Sequence, residues 1–171
     1  MIRTLFARLT GEPQRGRALF GLAVSEARRP GWFKQGQVPD TVTGRFAVLA
    51  TVIALIVVWL ERKGTDGEQA SVALTERLVE TLDTEIREMG VGDPTVGKQV
   101  RKLVGSVSGR VGRWRQLVDS DRPWSEEARE SLYPGETADV AALTFSETEL
   151  RQLSRRLRDS GVAELVEGRM G

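Results

Sequence analysis

The chain predicts an all-α fold: a single compact domain of about seven helices around one buried apolar helix. Three observations predict it. No segment alternates polar and apolar residues as a half-buried strand does. Apolar residues recur instead at steps of three and four along most of the chain. Gly and Pro gather at Gly11–Pro13, Pro30–Gly31, Gly64–Gly67, Gly90–Pro94 and Pro134–Gly135, dividing the chain into helix-sized pieces. At 171 residues there is enough chain for a real core.

The first piece is an arm over residues 1–15. Ile2, Leu5, Phe6 and Leu9 share one face, with Arg3 and Arg8 between them. A short basic amphipathic helix of this kind can lie on an anionic membrane surface or dock on the core. The main domain is expected over 16–171. Its first helix runs from about Gly16 to Arg29 and is ended by Pro30-Gly31. Trp32 and Phe33 then fall in a loop. Thr41 or Thr43 can cap the next helix.

Phe46 to Leu60 is fifteen residues without a charge, flanked by Arg45 and by Glu61-Arg62-Lys63. A bilayer span takes about 20 apolar residues, so the run predicts a central helix buried on all sides. After a turn at Gly64–Gly67, a helix carries the stripe Val72, Thr75, Val79, Leu82, Ile86 and Met89, widened by Leu78. Gly90 stands where a helix end needs a left-handed residue. Asp93-Pro94 predicts an N-cap followed by proline in the first helical position. The helix to about Asp119 shows Val96, Val100, Leu103, Val104, Val107, Val111, Trp114, Leu117 and Val118 on one side. Ser125 is expected to cap a short helix to Tyr133. A long helix over Asp139–Ser160 turns Leu143, Leu150, Leu153 and Leu157 inward, and residues 162–167 make a final turn.

Composition excludes whole classes of chemistry. With no His and no Cys, imidazole bases, thiol nucleophiles, disulfides and the usual zinc or haem ligands are all ruled out. No metal or cofactor is expected, and no carboxylate pair is placed in a pocket by spacing alone. Net charge is +1, and aromatics do not alternate with basic residues, so DNA is not an expected partner. Charge is blocked, however. Residues 67–89 carry two bases and six acids, while residues 93–119 carry six bases and two acids. Such blocks either pair within a fold or face a partner.

One stretch imitates a nucleotide-binding loop. Gly92-Asp93-Pro94-Thr95-Val96-Gly97-Lys98-Gln99 fits G-x-x-x-x-G-K. A phosphate-binding loop joins a strand to a helix, offers its amides to the phosphates, and ends in Ser or Thr. Here two helices are joined, Pro94 has no amide, Asp93 brings negative charge, and Gln99 replaces the hydroxyl. The stretch is a rigid corner between helices, and no small-molecule substrate is implied.

In the basic helix, Gly105, Gly109 and Gly112 fall at i, i+4 and i+7, with Ser108 beside them. Each Gly costs a helix about 1 kcal/mol relative to Ala. A stripe of them points to close approach by another backbone, either within the domain or from a partner helix lying in a groove. Lys98, Arg101 and Lys102 sit near the same face one to two turns earlier and would form a basic rim.

Two blocks resemble the ubiquinol–cytochrome c chaperone family. The first is Ser25-Glu26-Ala27-Arg28-Arg29-Pro30 with Trp32-Phe33, then Val38-Pro39-Asp40-Thr41 and Gly44-Arg45-Phe46. The second is Asp83, Ile86-Arg87-Glu88-Met89-Gly90-Val91-Gly92-Asp93, Val96-Gly97-Lys98, Val100 and Gly109-Arg110. It is similar to the family run L-R-E-M-G-V-G-D-x-x-V-G-K-x-V. The resemblance covers about residues 16–120 and, more loosely, the C-terminal helices. Val107-Ser108 stand where mitochondrial members often have an aromatic pair, and Trp114 where Tyr is common. The chain resembles the short alphaproteobacterial form.

The resemblance implies a non-enzymatic assembly factor for respiratory complex III. Mitochondrial members, with a small helical partner, sit near the ribosomal exit tunnel and hold newly made cytochrome b. A bacterial member is expected to act on cytochrome b at the cytoplasmic face of the inner membrane, peripherally; the alternative location is the mitochondrial matrix. The expected partner surface combines the corner residues Arg87, Gly90, Val91, Gly92 and Asp93 with the cations Lys98, Arg101 and Lys102. It also takes in the loop Arg28, Arg29, Pro30 and Trp32, together with Asp40 and Arg110. Trp32 is either an exposed contact or a core plug, and Arg110 either a client contact or half of an internal ion pair. A ribosome- or RNA-contacting factor using the basic helix is the alternative function, with binding that falls steeply with salt.

Overall fold

The computed structural model describes residues 16–171, which are helical with no strand among them. The arm expected over residues 1–15 lies outside the described residues. The helices are α1 Arg17–Ala27, α2 Gly31–Lys34, α3 Val42–Glu61, α4 Gly64–Glu88, α5 Asp93–Leu117, α6 Ser125–Leu132, α7 Val140–Asp159 and α8 Val162–Val166. Two of them, α2 and α8, are single turns, and α2 holds the Trp32-Phe33 pair expected in a loop.

The centre is α3. Thirteen of its twenty residues are buried, including Val48, Ile53, Leu55, Ile56, Val58 and Leu60. Each such side chain stabilises the fold by about 2 kcal/mol when taken out of water. It is long and apolar enough to cross a bilayer, yet it is mostly buried here. Packed around it are α1, α4, α5, α6 and α7. Its start is fixed by Thr41, whose Oγ1 accepts from the Gly44 amide at 3.1 Å.

The following helices differ from expectation in register. The turn expected at Gly64–Gly67 is instead the first turn of α4, entered through Gly64 at φ 73°. The buried face of α4 is Ala70, Leu74, Leu78, Leu82 and Ile86. Val72 and Met89, expected inside, are 56% and 68% exposed. Leu74, Leu78 and Leu82 follow one another at i+4, and the side with the larger leucines wins the core. Gly90 does adopt the left-handed conformation, at φ 81°.

In α5 the expected stripe is buried or partly buried, with Trp114 fully enclosed. Its N-cap is Gly92 and not Asp93, which is the first helical residue. Similarly, Trp124 and not Ser125 occupies the N-cap of α6. For α7 the cap is as read: the Asp139 carboxylate accepts from the Ala142 amide at 2.7 Å.

Polar groups inside the bundle converge on Ser131 of α6. Its Oγ accepts from the Trp114 indole at 3.1 Å and donates to Glu127 at 2.6 Å, while its carbonyl accepts from Arg110 at 2.8 Å. A second buried knot forms where Tyr133 donates to the Gly36 carbonyl at 2.5 Å and meets Ser146 Oγ at 2.7 Å.

Helices α3 and α4 meet so closely that a Cβ at Gly67 would lie 2.0 Å from the Leu60 carbonyl oxygen. We expect Gly67→Ala to lower unfolding free energy by about 2 kcal/mol or more, because backbone must move. Urea denaturation followed by circular dichroism measures it.

Candidate partner-binding surface

The corner between α4 and α5 is locked by charge. The Arg87 guanidinium donates to Asp83 at 2.7 Å and also to Asp93 across the turn. These bonds, to Asp83 first, raise the Arg87 pKa still further above its ordinary value. Asp93 therefore serves the corner through Arg87 and does not cap α5. The amides of Thr95 and Val96 are already spent on the Gly92 carbonyl, each at 3.0 Å. No phosphate cradle exists here, in agreement with the sequence reading. Gly90 and Gly92 are exposed, Val91 is half-buried, and Met89 adds apolar surface.

From this corner α5 presents Lys98, Arg101 and Lys102, all exposed. Among the described residues none of the three has a carboxylate within ion-pair distance. Farther along the helix, Arg113 and Arg115 are engaged, with Glu127 and Glu61 at 2.9 Å each.

The glycine stripe continues the basic face. A Cβ at Gly105 or Gly112 would meet nothing within 4 Å, and at Gly109 only the Arg113 side chain at 3.4 Å. Close packing within the domain is thus not what these glycines serve. They leave bare backbone on an open helix face beside three unpaired cations.

Other expected contacts are placed differently. Trp32 is 1% exposed and donates its indole N–H to the Glu26 carbonyl at 2.9 Å. As a surface anchor it is corrected: it plugs the core, because a ring that size adds more by burial than by contact with water. Arg29 pairs with Glu149 at 2.8 Å, and Arg156 grips Glu26 through two bonds of 3.0 and 2.8 Å. The Ser25–Phe33 block therefore fastens the end of α1 to α7. Arg28 and Pro30 remain exposed there, on elements separate from the α5 face. Asp40 is held 2.6 Å from Arg45 at the start of α3, and that hydrogen bond lowers its pKa.

Arg110 is 6% exposed and is also corrected as a contact residue. Among the described residues it has no ion pair. Its guanidinium donates to the Ser106 and Ser131 carbonyls at 3.1 and 2.8 Å. Burial first, then Arg113, lowers its pKa, while Glu127 opposes the shift. The spacing of Arg110 with Val107, Val111 and Trp114 was the available signal that it lies on the inner face.

Two stability effects of opposite sign follow. Arg110→Ala leaves the Ser131 carbonyl short of a donor and opens a void, so we expect a loss of about 2–3 kcal/mol. Gly105→Ala enters open space on an ordinary helical backbone and should add about 1 kcal/mol. Paired urea titrations of the two variants check both signs.

Comparison with known proteins gives the frame for this surface. The family model described as ubiquinol-cytochrome C chaperone matches residues 34–170. That range contains the corner and the α5 face and starts just after the Ser25–Phe33 block. The crystal structure of the Cbp3 homolog from Brucella abortus superposes with a TM-score of 0.77 at 24% identity, covering 98% of this chain and 94% of that one. That likeness establishes a shared fold. No curated protein matches the chain. With its matched range spanning most of its length, the chain belongs to the ubiquinol–cytochrome c chaperone family.

Proposed function

We propose that the protein is a non-catalytic chaperone that binds newly made cytochrome b during assembly of ubiquinol–cytochrome c reductase. Family membership supports the assembly role. The observation that carries the site is the α5 face: three exposed unpaired cations leading into exposed glycine backbone. A client of apolar helices and polar loops needs both properties. Bare backbone admits a helix at short range, and cations orient acidic or carbonyl-rich loops. The locked corner at Arg87, Asp83 and Asp93 holds the start of that face in place. We place the site of action at the cytoplasmic face of a bacterial inner membrane, with peripheral attachment.

The test is a mild-detergent pull-down of the tagged protein from its own respiring cells, blotted for cytochrome b. Wild type should enrich cytochrome b. The double change Lys98→Glu/Lys102→Glu should reduce recovery about tenfold, with an unchanged circular dichroism spectrum. Recovery unaffected by the double change would remove the α5 face as the client site. Absence of cytochrome b under conditions that preserve early intermediates would sink the chaperone reading. Ribosome co-sedimentation that falls steeply with salt and is lost in the same variant would favour the ribosome-contacting alternative.

A further inference from the structure

One charge block remains without a use. Residues 67–89 carry six acids and two bases, and both bases are already paired, Arg77 with Glu80 and Arg87 with Asp83. Glu68 and Glu76 are exposed, and among the described residues neither has a cation within ion-pair distance. Between them on α4 stands Val72, 56% exposed. The three fall at i, i+4 and i+8 and so form one stripe on the outer side of the helix.

The chain enters the domain beside this stripe. Gly16, the first described residue, lies against α4: a Cβ there would be 2.6 Å from the Ala73 carbonyl oxygen. It takes the left-handed conformation, at φ 79°. The end of α8 closes on the same place. A Cβ at Gly168 would be 2.8 Å from the Ala18 carbonyl oxygen, and Val166, the last residue of α8, is 38% exposed. Residues 1–15 therefore join the domain at a surface that is acidic and carries exposed valine.

The arm complements that surface in both respects. It holds three arginines and one acid, Glu12. At about 100° per residue, Ile2, Leu5, Phe6 and Leu9 make its apolar face, with Arg3 on one edge and Arg8 on the other. As a helix, residues 2–10 would be about 14 Å long, and Glu68 to Glu76 spans about 12 Å of α4. Residues 11–15 reach at most about 18 Å, enough to return from either end of the stripe to Gly16. A helix this short does not hold by itself in water, so a surface has to support it. An anionic membrane could do so for an isolated arm, but the unpaired glutamates of α4 repel one here.

We propose that residues 2–10 lie as a helix on the outer face of α4, with Leu5 and Phe6 against Val72 and with Arg3 and Arg8 paired to Glu68 and Glu76. The docked arm offsets the acidic block from within the chain. The inference does not rest on the cytochrome b reading.

The chain has no Cys of its own, so each engineered pair reports one contact. The full chain carrying Leu5→Cys/Val72→Cys would be oxidised with copper phenanthroline in dilute solution and read by non-reducing electrophoresis. Leu5→Cys/Arg155→Cys is the control, since Arg155 is on α7, which packs on α3 and α6. The first pair should close within the monomer at least about tenfold faster than the second. Adding Glu68→Lys/Glu76→Lys to the first pair should slow closure about fivefold. Circular dichroism of every variant should match wild type, because the substituted positions of the domain are all exposed. Flotation with phosphatidylglycerol vesicles runs in parallel. Equal closure of the two pairs, or closure at residue 72 unaffected by the charge reversal, would overturn the proposal. Disulfide-linked dimers in place of closed monomers would overturn it in favour of the α4 face of a second copy. Flotation without closure at residue 72 would overturn it in favour of a membrane.

Discussion

A helix that is apolar on every side must be covered on every side, and α3 imposes that demand on the rest of the chain. From Ala47 to Leu60 every residue but Leu49 and Trp59 is buried. No single neighbour can cover more than part of that surface, so α1, α4, α5, α6 and α7 all pack on it. The lengths of the helices follow. Both α4 and α5 have 25 residues against the 20 of α3, so the corner joining them has residues to spare beyond the core. That surplus explains why Met89, Gly90 and Gly92 are exposed, although each follows or precedes a helix with a good apolar face.

Surrounding one apolar rod with five helices leaves polar groups trapped between them, and the structure resolves this with few residues. Ser131 joins Trp114, Arg110 and Glu127, and through Thr51 at 3.4 Å it touches α3 itself. Tyr133 performs the same service for the loop at Gly36 and for α7. An arginine is an expensive way to satisfy two carbonyls, since burial opposes its charge. Its fork reaches two helices from one position, which a neutral side chain of similar length cannot do. Arginines with carboxylate partners are thereby distinguished from those without. Partnered ones, such as Arg29, Arg113, Arg115 and Arg156, hold elements together. Those without one among the described residues include Arg28 at the end of α1, Arg101 on α5 and Arg155 on α7, and of these Arg101 stands with two further unpaired cations, Lys98 and Lys102, on its own helix face.

The order of helices and the burial of α3 were legible in the sequence, because a fifteen-residue uncharged run and Gly or Pro breaks are strong local signals. Register on an amphipathic helix was less legible. On α4 the stripe read through Val72, Thr75, Val79, Leu82, Ile86 and Met89 ran at steps of three and four and shares Leu82 and Ile86 with the buried face, which is turned toward Ala70, Leu74 and Leu78. Only the neighbours decide which side faces inward. The corner and the cations of α5 were visible as a motif and a charge block. The burial of Trp32 was not, since it sits beside Arg28, Arg29 and Pro30 and is held by the Glu26 carbonyl of the preceding helix, whereas that of Arg110 was signalled only by its spacing with Val107, Val111 and Trp114.

The glycines of α5 bring these strands together. A helix that only had to cover α3 would do so more stably with Ala at positions 105 and 112, where a methyl group meets nothing. Their cost falls on a face that contributes nothing to the core, whereas Gly44, Gly36 and Gly67 each sit against backbone that a side chain would strike. Structural glycines and unexplained glycines are therefore separable within one molecule by what surrounds them. Those of α5 share their helix face with Lys98, Arg101 and Lys102, and no other described helix is laid across them. Two independent departures from best stability, unpaired charge and missing methyl groups, coincide on one surface. That coincidence is the physical ground on which this surface is proposed for a client.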